Sequence, residues 1–382
     1  LQRVQPANDA SLVGLALARY RLNDLSGAYE AIHHFSANGQ ATPLLLTMQG
    51  YVDILVGRSQ AGQRLLEQAV ARAPDFILPR SLLTQVYLLQ NRKDEARRMA
   101  HEILALAPNS PQALMAAGLV NIAFFDLPAA IRQFQMASDR DPRFVEPYLY
   151  LAKIWLGSDY LDRARRAVDN ALALAPNNGE VLAMAGFVRL AFRDFAAAQG
   201  YFSRSVEASP GLGEPHLGLG ICHFRYRRPD AGLTAMLKAT LLEPHVALYQ
   251  AELGKALYEA RAFGKALDVY DYAKTLDPND PTPYLYKGIA LADLNRPGEA
   301  VQEINRSIAL NDNRAVFRTR LGLNRDLAVR NYNLARSYNQ LGLQEWATSK
   351  AVTAVGFNPL NSSAHLFLLN SYDTSSINGQ SG

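Results

Sequence analysis

The sequence predicts an all-α chain, a right-handed superhelical solenoid of about ten helix–turn–helix units, each 34 residues long. Three observations predict it. Prolines stand at positions 74, 108, 142, 176, 210, 244 and 278, each 34 residues after the last. Ten residues beyond each register point the side chain is small: Ala16, Gly50, Thr84, Gly118, Ala152, Gly186, Gly220, Gly254 and Gly288. Twenty-two residues beyond it the side chain is small again: Ala28, Gly62, Ala96, Ala130, Ala164, Ala198, Gly232, Ala266 and Ala300.

Each element follows from these positions. Two antiparallel helices approach closely only where neither carries bulk, so each pair of small residues marks a crossing. Four residues after the second small position, Phe134, Val168, Phe202, Met236, Tyr270 and Ile304 supply the bulk that fills the seam. Between the markers the apolar spacing is helical. Leu114, Ala117, Gly118, Asn121 and Phe125 line a first helix, and Ala130, Phe134 and Ala137 a second. The proline ends one pair and sets the turn into the next, as in Ala107-Pro108-Asn109 and Asp277-Pro278-Asn279. Backward, the register passes Gln40 and reaches Pro6; forward, it reaches Asp312.

After Asp312 the period slips. It resumes about 13 residues late with Tyr332-Asn333-Leu334-Ala335-Arg336, then Ala347 and Pro359. The expected organisation is a repeat array over 9–314, an irregular insertion over 315–327, a C-terminal repeat and half-repeat over 328–372, and a flexible tail or linker over 373–382, which is rich in Ser, Asn and Gly.

This unit, with Gly or Ala in the first helix, Ala in the second and Pro at the end, resembles the tetratricopeptide repeat (TPR) family. The resemblance covers about residues 9–372, and seven prolines in register make it specific. Gln40, Asp312 and Thr84 are its departures. The resemblance implies a non-enzymatic scaffold for protein–protein interaction, with the partner on the concave face lined by the first helices. A second resemblance rests on 312–372, with its Leu334-Ala335-Arg336 run. That segment looks like the end of bacterial repeat proteins that continue into an outer-membrane or surface-attached domain. A bacterial source and a place in the cell envelope or outside the cell are therefore expected.

Composition narrows the function classes. The chain has 382 residues, 49% of them apolar and 19% charged, which fits a folded chain too long for one core. Cys222 is the single cysteine, so no intrachain disulfide exists. No apolar run approaches the roughly 18 residues of a membrane helix. The chain opens on Leu1, as expected of a trimmed or processed piece.

Catalytic patterns are missing from the sequence. Of the seven histidines, His216, His223 and His245 fall near Cys222, but without the i, i+4 or paired-thiolate spacing of a metal site. Gly211-Leu212-Gly213 lacks the Lys and Ser/Thr of a phosphate loop. No enzyme activity, cofactor or metal is expected.

Binding residues are sought on the outward positions of the first helices. Tyr51, Met115, Leu119, Tyr150, Lys153, Phe187, Ile221, Lys255, Tyr258 and Tyr286 stand there, an unusually apolar and aromatic set for a solvated face. Either they are buried against neighbouring turns, or they receive a segment of a partner protein. Tyr51, Tyr150, Tyr258 and Tyr286 would equally stack on sugar rings, as in exopolysaccharide export scaffolds with this repeat. A half-repeat with an open apolar face also allows copies to join end to end into a filament. Arg314, Arg318, Arg320, Arg325, Arg330 and Arg336 form a basic cluster in the irregular region. A net charge of +4 falls well short of a dedicated nucleic-acid binder, so nucleic acid is not an expected partner.

Overall fold

A computed structural model describes residues 9–21, 25–33, 41–56, 58–90, 92–310 and 323–378. The described residues are helices and short turns, without a strand. Among the described residues, ten antiparallel helix pairs and one last helix follow each other along the sequence. The pairs are α1 (Asp9–Arg21) with α2 (Leu25–His33), α3 (Pro43–Leu55) with α4 (Ser59–Arg72), α5 (Ile77–Leu89) with α6 (Lys93–Leu106), and α7 (Pro111–Ala123) with α8 (Leu127–Arg140). Then come α9 (Val145–Gly157) with α10 (Leu161–Leu174), α11 (Gly179–Ala191) with α12 (Phe195–Ala208), and α13 (Glu214–Arg225) with α14 (Pro229–Leu242). The series continues with α15 (Ala247–Glu259) and α16 (Phe263–Leu276), α17 (Pro281–Asp293) and α18 (Pro297–Ala309), α19 (Leu323–Gln340) and α20 (Gln344–Phe357), and closes on α21 (Ser362–Asn378). The chain divides into two compact units, residues 1–151 and 152–382.

Local chemistry explains where the helices start. The side chains of Thr42, Ser110, Asn178 and Asp280 accept from backbone N–H groups two or three residues on, at the starts of α3, α7, α11 and α17. Asp126 and Asp194 do the same for α8 and α12. Prolines at the first turn of α3, α7 and α17 cost nothing there, because those N–H groups have no partner within the helix.

The turns inside six of the pairs, from α7–α8 to α17–α18, show a pattern that the prolines do not announce. Phe125, Asp159, Arg193, Arg227, Arg261 and Asn295 all have positive φ, between 57° and 64°, and recur every 34 residues. The next residue donates its N–H five residues back, as in Asp126 to Asn121 O at 2.9 Å and Arg228 to His223 O at 2.9 Å. That is the Schellman closure of a helix end, made here without glycine.

Packing follows the small positions. A Cβ at Gly118 would lie 2.4 Å from the Phe134 ring, and one at Gly186 2.5 Å from the Phe202 ring. At Gly254 it would lie 2.5 Å from Tyr270, and at Gly288 2.6 Å from Ile304. Each glycine thus makes room for the seam residue on the facing helix, and Phe134, Phe202 and Ile304 are fully buried.

The C-terminal region departs from expectation in two places. Helix α19 begins at Leu323, within the stretch 315–327 expected to be irregular, and α21 continues to Asn378, within the expected tail. Residues 311–322 lie outside the described residues, as do Arg314, Arg318 and Arg320. No helix among the described residues is long and apolar enough to cross a membrane.

Candidate functional site

The ten first-helix candidates separate into two groups. Met115, Leu119 and Phe187 are buried, so they present no accessible face to a partner. Phe187 meets Phe202 edge-on, with ring centroids 4.8 Å apart. Their burial follows from the small neighbours on the same helices, Ala116 and Ala117 in α7 and Ala183 and Ala185 in α11, which let adjacent helices close in. Tyr51, Tyr150, Lys153, Ile221, Lys255, Tyr258 and Tyr286 stay half-buried. Within the first unit, Tyr51 packs on the cluster of Leu12, Ile32, Leu45 and Val52, and Tyr150 stacks on Phe134 at 5.4 Å.

In the second unit the structure gathers Ile221, Lys255, Tyr258 and Tyr286 into one neighbourhood on α13, α15 and α17. The Lys255 ammonium sits 5.0 Å above the Tyr286 ring, 3.5 Å from its hydroxyl and 3.9 Å from Glu252 Oε2. The Glu252 carboxylate, with Tyr286, holds Lys255 above the ordinary lysine value, so its charge is fixed. Tyr286 stacks at 6.4 Å on Tyr270, whose own hydroxyl burial keeps neutral. The Tyr258 hydroxyl donates to Asp293, which also pairs with Arg336 Nη2 at 3.1 Å. Burial first, then that hydrogen bond, pushes Tyr258 up to about 12.

Beside this network lies a cleft of about 330 Å³. Ile221, Phe224, Met236 and Ala256 form its apolar walls, and Arg225, Glu252, Lys255 and Glu259 its charged rim. The arrangement suits a short peptide segment: an apolar side chain for the floor and charges of both signs for the rim. Glu252 and Glu259 escape a search for apolar departures on a helix face, although their spacing around Lys255, three residues before and four after, is a legible signal. A second cleft, of about 410 Å³, lies between α19 and α21, lined by Tyr332, Arg336, Asn339, Gln340, Phe367 and Asn370 among others.

Of the six arginines of the basic cluster, Arg330 and Arg336 have described side chains, and both are turned to partners within the fold. Arg325 falls within α19. Arg330 is fully buried and donates to Pro281 O at 3.2 Å, where Ser307 also donates at 2.7 Å. It ties α19 to the first turn of α17 and is no surface ligand. Arg336 is engaged by Asp293. The sequence shows their charge and not their depth. Around Cys222 the side chains do not converge either: His216 and Cys222 are buried, His223 is half-buried and His245 is exposed. No group of metal-ligating side chains occurs among the described residues.

Known proteins place this geometry. Tetratricopeptide-repeat models match residues 54–119 and 217–281. The peroxisomal targeting signal receptor of Kluyveromyces lactis is 24% identical over 240 residues, 61% of this chain. The match spans only 39% of that receptor's length. In the crystal structure of the APC/C hetero-tetramer Cut9–Hcn1, one chain superposes with a TM-score of 0.67 at 15% identity, covering 97% of this chain and 79% of that one. Two repeat models match and the 34-residue helix pair recurs through both units, so the chain carries tetratricopeptide repeats, a repeat that supports a protein-interaction scaffold.

Proposed function

We propose that this protein is a non-catalytic adaptor that holds a short segment of a protein partner in the α13–α15 cleft. The carrying observation is the preordered Lys255. Its ammonium is fixed by Glu252 and Tyr286 at the rim of an apolar-walled cleft, so little side-chain entropy remains to be lost on binding. The relative named as a targeting-signal receptor adds to a peptide reading. Sugar stacking on the tyrosines has less support. Tyr150 already faces Phe134, Tyr286 is covered by Tyr270 and Lys255, and Tyr258 is tied to Asp293.

The test is selection of random displayed peptides on the whole chain, followed by affinity measurement on Ile221→Glu and Lys255→Ala. Enriched peptides are expected to bind each variant at least tenfold more weakly. Unchanged affinity, or no enrichment at all, overturns the cleft as the binding site.

A further inference from the structure

Three consecutive turns of the second unit carry a charge pattern that the turns around them lack. Arg193, Arg227 and Arg261 occupy one position of the 34-residue unit, inside the pairs α11–α12, α13–α14 and α15–α16. All three are exposed, and all three hold positive φ, at 62°, 57° and 60°. Their equivalents Phe125, Asp159 and Asn295 bring no positive charge. Glycine or asparagine adopts this conformation at less cost than arginine does. A basic residue at a helix end also complements the helix dipole. Helices α7, α9 and α17 nonetheless end without a basic residue in the last turn. A strained arginine kept at one place in three neighbouring repeats points to a use for the guanidinium.

The surroundings add to the charge. The windows 189–195, 223–229 and 257–263, which span the three turns, hold six arginines against two carboxylates. The equivalent windows of the two turns before, 121–127 and 155–161, hold two carboxylates and no lysine or arginine. The window of the turn after, 291–297, holds one of each sign. In the helix turns that follow the three, Asp230 and Lys265 cancel. Arg193, Arg227 and Arg261 form no ion pair among the described residues. Of the two carboxylates, Asp194 caps α12 by accepting from Ala197 N at 3.1 Å, and Glu259 stands at the rim of the α13–α15 cleft. Arg225 lies 6.0 Å over the Phe195 ring and lines the same cleft, so the basic edge runs up to it.

We propose that this edge docks an acidic segment of a protein partner, which runs extended across the three turns. Charge selects the partner and spacing selects its pattern. Packed helix pairs set equivalent turns about 10 Å apart, and an extended chain advances about 3.3 Å per residue. Carboxylates at every third residue therefore meet Arg193, Arg227 and Arg261 in turn. Arginine suits the task, because its planar fork takes a carboxylate through two parallel hydrogen bonds. Nucleic acid fits less well. Its phosphates follow each other more closely than the arginines do, and Asp194 and Glu259 interrupt the positive strip. The edge is a second surface beside the cleft, and a segment without apolar side chains engages it alone.

Fluorescence anisotropy on the whole chain tests it, with a labelled peptide that carries aspartate at every third position and serine and glycine between. Binding is expected, and it should weaken at least fivefold as salt rises from about 50 to 200 mM. Arg193→Asn, Arg227→Asn and Arg261→Asn together keep side chains that tolerate positive φ. This variant is expected to retain the helical circular dichroism and to bind at least tenfold more weakly. Arg132→Asn, Arg140→Asn and Arg143→Asn remove the same charge from exposed positions of the first unit and are expected to change affinity less than twofold. A peptide of the same composition with its aspartates in one run is expected to bind at least threefold more weakly. No binding, an equal loss in the two triple variants, indifference to spacing, or tighter binding of an oligouridine of equal charge overturns the proposal. None of these outcomes bears on the cleft, whose peptides depend on Ile221.

Discussion

Leu119 in α7 and Lys255 in α15 occupy the same place in the 34-residue unit, and their surroundings differ. Helix α7 buries residues 113–120 without a break, because alanines and a glycine alternate with its larger side chains and neighbours close over both sides. Helix α15 sets Glu252, Lys255 and Tyr258 along one side, and that side stays within reach of solvent. Position in the repeat therefore decides which way a side chain points. The bulk and charge of residues one turn away decide whether a partner can reach it.

Exchanging the two residues is the sharpest way to break the comparison. Leu119→Lys puts a charge into a packed seam and is expected to destabilise the chain by about 2–4 kcal/mol in urea unfolding. A loss below about 0.5 kcal/mol would mean that the α7 face opens in solution. Gly118→Ala presses the new methyl against Phe134 and is expected to cost about 1–3 kcal/mol. Lys255→Leu should change stability by less than about 1 kcal/mol while weakening selected peptides at least tenfold. That combination separates a recognition residue from a packing one.

Two smaller effects refine the picture. Tyr258→Phe removes the hydroxyl that Asp293 accepts and is expected to cost about 0.5–1.5 kcal/mol at neutral pH. Folding raises the Tyr258 value from 10.0 to about 12, so its protonated form is favoured in the fold. The resulting stabilisation is fully present below about pH 10 and disappears as the pH rises towards 12. Unfolding measured between pH 9 and 12 should therefore fall less steeply for the phenylalanine variant. The smallest effect is expected at Arg193, which holds φ at 62°. Arg193→Gly relieves that conformation and should gain about 0.5–1 kcal/mol, net of the backbone entropy that glycine brings.

The sequence made the helix pairs legible because their markers are steric and local: Gly118 needs Phe134 opposite, and a proline follows most of the second helices. It also marked Ile221, Lys255, Tyr258 and Tyr286, which the fold does bring together. It could not separate these from Met115, Leu119 and Phe187, because burial depends on three neighbouring helices and not on one face. The depth of Arg330 is hidden in the sequence for a related reason: the carbonyl that accepts from it, Pro281 O, lies 49 residues away. The non-glycine Schellman turns left no trace in composition, since phenylalanine, arginine and aspartate are tolerated in a conformation that glycine would normally advertise.

The close approach at Gly118, Gly186 and Gly254 bears on how such a chain lengthens, because Leu369 of α21 stands in the same register. Arrays of this kind expand when a 34-residue segment is duplicated in frame, and each new copy is accepted only if its helices nest against the ones before. A duplication that carried Leu369 into the interior would place a leucine where a neighbouring helix must pass. Glycine, alanine or, in α5, threonine holds that position in the earlier repeats, so a duplicated segment carrying Leu369 would first have to shed the leucine.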